Sequence, residues 1–206
     1  ELAARFEVEV LFTAQHVDLW KVASATSHLV VTAQHLDPIR PGRGMGQVLP
    51  EGLVEAGARA VFLNHAEHPL TLAQLDQSLR RAEEVGLITV VCADSERQCR
   101  AVAELGPSVV LCEPTANIGT GSMDSGDYAE RTTKAVKAIA PDTLVVQAAG
   151  VGSAEDVRRL LALGADGSGG TSVIVQAPDQ RAILTELMGA IAGFVDPGQQ
   201  RSRRGG

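Results

Sequence analysis

The chain has 206 residues, 45% of them apolar, so it can bury one substantial core, and a single domain is expected. Its net charge of -7 excludes a general polyanion-binding protein, because contact with nucleic-acid phosphates needs a clustered positive surface. The three cysteines have no paired spacing, which predicts neither disulfides nor a zinc site and favours the cytoplasm. No apolar run reaches the roughly 18 residues of a membrane-spanning helix, so no membrane partner is expected.

Short β-branched runs alternate with helical patterns along the chain. Six runs predict strands, and they begin at Val8, Leu29, Ala60, Ile88, Val109 and Leu144. Most are continuously apolar, which is typical of a parallel sheet covered on both faces. A seventh strand is placed by position near Asp166 to Ser172, although its glycines and serines lack the usual bulk. The pattern predicts an α/β fold and leaves a closed (β/α)₈ barrel and an open doubly wound sheet as alternatives.

The predicted domain covers residues 1–195. Residues 196–206 are rich in Gly, Gln, Ser and Arg and carry too little apolar surface to offset the entropy of ordering them. They are predicted to form a flexible tail.

Polar side chains follow two of the predicted strands. His65 comes after the third run, and Glu113 directly follows the fifth. In parallel α/β folds catalytic groups gather at the carboxyl ends of strands, so a carboxylate base and an imidazole electrophile could face each other there. The alternative is that both side chains only bond to backbone groups of their loops.

Three glycine-bearing turns follow later strands: Gly119-Thr120-Gly121, Gly150-Val151-Gly152 and Gly169-Gly170-Thr171-Ser172. Glycine lets backbone N–H groups approach an anion closely, and a helix predicted to start near Ser153 adds the positive end of its dipole. The turns therefore favour a phosphate site. No metal-ligand spacing, Walker loop, dinucleotide fingerprint or G-x-S-x-G motif is present, so no metal or cofactor is predicted.

Six segments carry a resemblance to a known family: TAQHLDPIRPG from Thr32, VLPEGLVEAG from Val48, LNHAEH from Leu63, RRAEEVGLITVVC from Arg80, EPTANIGTG from Glu113 and AAGVGSAEDV from Ala148. Together they resemble the archaeal-type triosephosphate isomerases, collinearly from Val8 to Phe194. The resemblance implies a (β/α)₈ barrel that interconverts dihydroxyacetone phosphate and D-glyceraldehyde 3-phosphate in glycolysis and gluconeogenesis. It also implies a homo-oligomer, dimeric or tetrameric, that needs no cofactor.

The resemblance assigns roles to individual residues. Glu113 would remove the proton between the two substrate carbons, and His65 would polarise the carbonyl and shuttle a proton between the oxygens. The positions that would contact substrate or its phosphate are Ile118, Gly150, Gly170, Thr171 and Ser172.

The sequence also departs from the family. The family's first strand, with its Asn-x-Lys motif, has no counterpart, so a barrel without that strand and with two unpaired edges is expected. Lys21, Lys134 and Lys137 all fall in predicted helices, and Met45 stands where the family has a small polar residue in a loop that reaches a neighbouring subunit. Two readings stay open beside an active isomerase: a catalytically impaired phosphometabolite-binding or assembly protein, and an incomplete copy of an ordinary enzyme.

Overall fold

The computed structural model of the chain describes residues 1–115, 127–148 and 150–194. Its strands are β1 (Leu11–Ala14), β2 (Val30–Ala33), β3 (Ala60–Leu63), β4 (Ile88–Ala93), β5 (Val109–Cys112), β6 (Leu144–Gln147) and β7 (Gly167–Ser168). Its helices are α1 (Leu2–Phe6), α2 (Leu19–Ala25), α3 (Pro50–Glu55), α4 (Leu72–Glu84), α5 (Glu96–Ala103), α6 (Asp127–Ile139), α7 (Ala154–Ala162), α8 (Ser172–Val175) and α9 (Gln180–Ala192). A short 3₁₀ turn, His16–Asp18, precedes α2.

The strands form one parallel sheet in sequential order from β1 to β7. Sequential parallel order with helical connections is the arrangement of a (β/α) barrel wall, whereas a doubly wound sheet reverses its strand order at a switch point. Among the described residues there are seven strands, as expected for an eight-stranded barrel without its first strand. The predicted α/β barrel class is therefore confirmed.

The six apolar runs all overlap strands, but the ends of the first and seventh predicted strands are wrong by more than one residue. The first was predicted from Val8, whereas β1 begins at Leu11. The seventh was placed over Asp166 to Ser172, whereas β7 covers only Gly167–Ser168 and Ser172 already begins α8. Glycine has little strand propensity and no side chain to pack, so the ladder ends as soon as its hydrogen bonds to β6 are made.

The core lies on both faces of the sheet. Alternate strand residues such as Val61, Val91 and Val110 pack against the helices. Their neighbours Val90 and Leu111 belong to a smaller cluster on the opposite face, with Val109, Cys92, Phe62, Val146 and Ala148. Burial on both faces explains why these strands are continuously apolar instead of alternating.

The two outer strands are less buried than the central ones. In β1, Leu11 is 37% and Phe12 45% exposed, whereas the paired strand β2 is buried throughout. Outside the sheet, α1 packs on α9, where a Cβ at Gly189 would lie 3.7 Å from the Phe6 ring, and Glu1 pairs with Arg181 at 2.8 Å. The first and last helices, α1 and α9, thus contact each other.

The domain boundary at 195 stays a prediction, because residues 195–206 lie outside the described part of the chain. The three lysines lie in helices, as predicted: Lys21 in α2, and Lys134 and Lys137 in α6. In the described segments, no helix is both long and apolar enough to cross a bilayer.

Candidate active site

The carboxyl ends of the central and later strands lie level with one another. The backbone N–H of Glu113 donates to the Ala93 carbonyl at 2.9 Å, and that of Ala148 donates to Cys112 at 3.0 Å. Gly169 continues the series with a bond to the carbonyl of Gln147 at 3.2 Å. The segments after β5, β6 and β7 therefore leave the sheet at one edge, where parallel α/β folds place their catalytic groups.

Asn64 shapes the loop between β3 and α4, which carries His65. Its φ of 58° is left-handed, a conformation that asparagine tolerates better than most residues. Its side-chain amide donates to the Cys92 carbonyl at 3.0 Å, and its Oδ1 accepts the Leu70 N–H at 2.9 Å. The loop is thus tied to β4 and to its own far end, immediately before the histidine.

The orientation of His65 is set by the backbone of its own loop. The N–H of Glu67 donates to His65 Nδ1 at 3.2 Å, so that nitrogen carries no proton. In the neutral ring the proton must then lie on Nε2. This nitrogen faces the Glu113 carboxylate, with 3.8 Å between Nε2 and Oε2. The gap is too long for a hydrogen bond, which leaves the Nε2–H free to donate to a substrate oxygen.

Glu113 is the more enclosed partner, since its side chain is 17% exposed and that of His65 is 32% exposed. Burial raises the pKa of the Glu113 carboxyl above its usual value; His65 opposes that shift and the charge of Glu67 adds to it. A carboxylate with a raised pKa is a stronger base than an exposed one, provided it remains ionised at the working pH. Glu113 and His65 can therefore act together as a base and a hydrogen-bond donor.

The glycine turns after β6 and β7 lie close to each other. Gly150 has a φ of 78°, and a Cβ on Gly170 would lie 3.9 Å from the Val151 carbonyl and 2.9 Å from Val173 Cγ1. Thr171 is the N-cap residue of α8, and Ser172 is its first residue. The structure thus brings together four of the five residues predicted to contact substrate. Ile118, like the turn at 119–121, lies outside the described residues.

Two parts of this geometry were missed by the sequence analysis. Asn64 was not singled out, although a single asparagine directly after a strand is a signal for a left-handed turn. The backbone amide of Glu67 leaves no trace in a sequence, because every residue except proline carries an N–H. Within the described segments, no three His, Cys, Asp or Glu side chains are placed to hold a metal ion.

Comparison with known proteins decides the family. The family model described as triosephosphate isomerase matches residues 1–187. The triosephosphate isomerase of Methanothermus fervidus is 35% identical over 191 residues, which are 91% of this chain and 86% of that protein. The chain belongs to the triosephosphate isomerase family. The triosephosphate isomerase of Methanopyrus kandleri is 36% identical over 195 residues, covering 93% of this chain and 86% of that protein.

A third relative extends this result within the family. The triosephosphate isomerase of Methanosarcina barkeri is 38% identical over 184 residues, which are 88% of this chain and 82% of that protein. The resemblance to archaeal-type triosephosphate isomerases is therefore confirmed. Membership of this family agrees with the sequential parallel sheet and with the facing side chains of His65 and Glu113 at its carboxyl edge.

Proposed function

We propose that the chain interconverts dihydroxyacetone phosphate and D-glyceraldehyde 3-phosphate, within glycolysis and gluconeogenesis, with Glu113 as the base and His65 as the proton donor. The observation that carries this proposal is the pair itself. The Glu113 carboxylate faces the Nε2 of a histidine whose Nδ1 is already occupied by a backbone N–H. A substrate carbonyl seated beside the pair would meet a base for its neighbouring carbon and a donor for its oxygen.

The reaction can be followed atom by atom on these two side chains. Glu113 takes the proton from the carbon next to the carbonyl, and the released electron pair forms a double bond between the two carbons. Charge develops on the carbonyl oxygen, where the His65 Nε2–H stabilises it by donating a hydrogen bond. His65 passes its Nε2 proton to this oxygen and takes the proton of the neighbouring hydroxyl, which moves the negative charge to the second oxygen. That oxygen forms the new carbonyl as Glu113 returns its proton to the former carbonyl carbon, which completes the isomerisation without a cofactor.

We place the substrate phosphate at the glycine turns after β6 and β7. Gly150 and Gly170 present backbone without side chains, and Gly170 packs close to the loop that follows β6. The first N–H groups of α8 have no partner within that helix and suit an anion, whereas at α7 the Asp156 N–H already donates to the Ser153 hydroxyl. Thr171 and Ser172 at the start of α8 would contribute such groups, and Ile118 is assigned from the family resemblance alone.

The proposal is tested by coupled-assay turnover of glyceraldehyde 3-phosphate by the purified chain and by its Glu113→Gln variant. Loss of a general base lowers turnover by about 10²–10⁴-fold, and we expect a loss in that range. Glu55→Gln, at an exposed position in α3, is the matched control and should keep full activity. Turnover that survives Glu113→Gln unchanged would rule out this carboxylate as the base.

One observation favours the alternative of a catalytically impaired phosphometabolite-binding or assembly protein. Lys134 pairs with Glu130 at 2.6 Å, Lys137 pairs with Asp166 at 2.7 Å, and Lys21 lies exposed in α2. No lysine of the described segments therefore follows a strand, where a cation could stabilise the developing oxyanion. Calorimetry with 2-phosphoglycolate, whose carboxylate carries the charge of the intermediate, separates the two readings, since the alternative predicts binding without turnover.

We also propose that the protein works in the cytoplasm as a homo-oligomer, a dimer or a tetramer. The thiols of Cys92, Cys99 and Cys112 are free and buried, which fits a reducing compartment. Met45 is fully exposed, in the loop that by the family resemblance reaches a neighbouring subunit. Light scattering of the purified chain gives the oligomeric state, and a monomer at micromolar concentration would contradict this proposal.

A further inference from the structure

A contact between two histidine rings joins the loops that follow β2 and β3. The ring of His35 is buried and lies against the ring of His68, with centroids 4.0 Å apart and planes tilted by 31°. His68 belongs to the same loop as His65, and its backbone N–H donates to the His65 carbonyl at 2.8 Å. The buried His35 ring thus contacts His68, which belongs to the loop that orients the His65 imidazole.

His35 is itself held from two sides. Its Nε2 faces Asp37 Oδ1 at 3.4 Å, and the other carboxylate oxygen of Asp37 accepts the Val48 N–H at 2.7 Å. From the segment after β1, the Nε2–H of His16 donates to the His35 carbonyl at 2.9 Å. The ring is thus held by Asp37 of its own segment, and the backbone of His35 is held by His16.

The surroundings of His35 suit a neutral imidazole. Its distance of 3.4 Å to Asp37 is longer than the roughly 2.7–2.9 Å of a charge-assisted hydrogen bond. Burial lowers the pKa of His35 below its usual value; the adjacent His68 lowers it further, Asp37 opposes the shift, and His16 adds a smaller decrease. His68, Asp37 and His16 lie in the segments that follow β3, β2 and β1, respectively.

We propose that His35 is a positioning residue for His65: its neutral ring braces the β3–α4 loop through His68, and protonation of His35 releases that brace. A proton on His35 would place a positive charge in a buried space against a second imidazole, which favours separation of the two rings. The β3–α4 loop would then lose one of the contacts that fix the direction of Nε2 in His65. The proposal rests on the proposed function, because that direction has a purpose only in the isomerase reaction.

The first test follows the histidine rings by NMR in the full chain, labelled with carbon-13 histidine. The chain carries Glu113→Gln, so that this carboxyl does not titrate beside His65. We expect the Cε1–H signal of His65 to show a step at the midpoint of the His35 signal. Adding His35→Gln should remove that step. A His65 signal that does not respond to the titration of His35 overturns the proposal.

Two further variants serve as controls for this experiment. His28 is an exposed histidine just before β2, at the opposite end of the strand from His35, so His28→Gln should leave the step unchanged. His35→Phe keeps an aromatic ring against His68, but this ring cannot be protonated. It replaces His35→Gln if that variant does not fold. Loss of the step in His28→Gln as well would show that the step does not depend specifically on His35 and would also overturn the proposal.

The second test measures kcat and kcat/KM against pH for the wild-type chain and for His35→Gln. On the acid side, the logarithm of kcat/KM should fall more steeply with decreasing pH in the wild type than in the variant, because protonation of His35 adds to protonation of Glu113 in the wild type only. At neutral pH the variant should lose about tenfold in kcat with little change in KM, since a misdirected His65 affects the chemical step. Equal slopes would reduce His35 to a packing residue. If the wild type shows no turnover, the proposed function fails, and the NMR experiment still decides this inference.

Discussion

The central strands β3 to β5 and the outer strands β1 and β7 are built differently. The central strand β4 pairs with β3 and with β5 over four residues each, and its residues after Ile88 are all buried. β7 pairs with β6 over only two residues, and β1 is largely exposed. The proposed catalytic pair, His65 and Glu113, follows β3 and β5, whereas the proposed phosphate turns follow β6 and β7.

The difference teaches where positional accuracy is needed. Proton transfer depends on side chains held within fractions of an ångström, which a fully packed region supplies. Phosphate binding by backbone N–H groups needs close approach, so residues without bulky side chains suit it better. The same glycines that weaken β7 as a strand thus make it suitable for an anion.

The largest effect is expected from shortening a buried side chain in the central region. Leu63, at the end of β3, is 1% exposed, and Leu63→Ala should lower the free energy of unfolding by about 2–5 kcal/mol through lost burial and a residual cavity. Leu11→Ala, the same substitution in the exposed strand β1, should lower the free energy of unfolding by less than about 1 kcal/mol. Urea unfolding measures both. Similar losses of unfolding free energy at the two positions would show that β1 is covered in solution and that the two regions do not differ in burial.

A smaller effect is expected at the loop between β2 and α3. Arg81, on α4, is nearly buried and donates to the Ile39 carbonyl at 2.9 Å, to Glu51 at 2.6 Å and to Glu84 at 2.5 Å. Arg81→Met should lower the free energy of unfolding by about 1–3 kcal/mol, because the Ile39 carbonyl and Oε1 of Glu51 lose their hydrogen-bond donor.

Arg80→Met is the matched control for that substitution. Arg80 lies next to Arg81 on α4 and pairs with Asp76 at the surface, an interaction worth about 0.3–0.5 kcal/mol. A loss at Arg81 no larger than at Arg80 would mean that the loop is held by its backbone alone.

The smallest effect concerns the pH dependence of stability. Burial raises the pKa of Glu113 above its value in the unfolded chain, so the folded state binds this proton more tightly. Its contribution to stability is therefore fully present below the unfolded pKa and is lost as pH rises through the folded pKa. Glu113→Gln should raise Tm at pH 7, and this gain should shrink as pH falls. Glu55→Gln, at an exposed site, should show no such trend, and an unchanged Tm for Glu113→Gln would contradict the expectation.

Much of the central region could be predicted from the sequence, because its strands are continuous apolar runs with polar residues at their ends. β3 and β5 agree with the predicted runs from Ala60 and Val109, and the residues after them are the pair that the structure places 3.8 Å apart. The catalytic roles of His65 and Glu113 stay a prediction. The end of β7 could not be predicted, since glycine and serine give no periodic signal where side-chain packing stops. The contact of His35 with His68 depends on how two loops fold back, which no local pattern encodes.

Asn64 also has a consequence for how this chain can vary. Its position requires a residue that accepts a left-handed backbone, donates one hydrogen bond from its side chain and accepts another. Glycine meets only the first requirement, and aspartate has no N–H to offer the Cys92 carbonyl. The protein should therefore tolerate few replacements of Asn64. A selection for active variants should retain the original residue there more often than at an exposed neighbour such as Ala66.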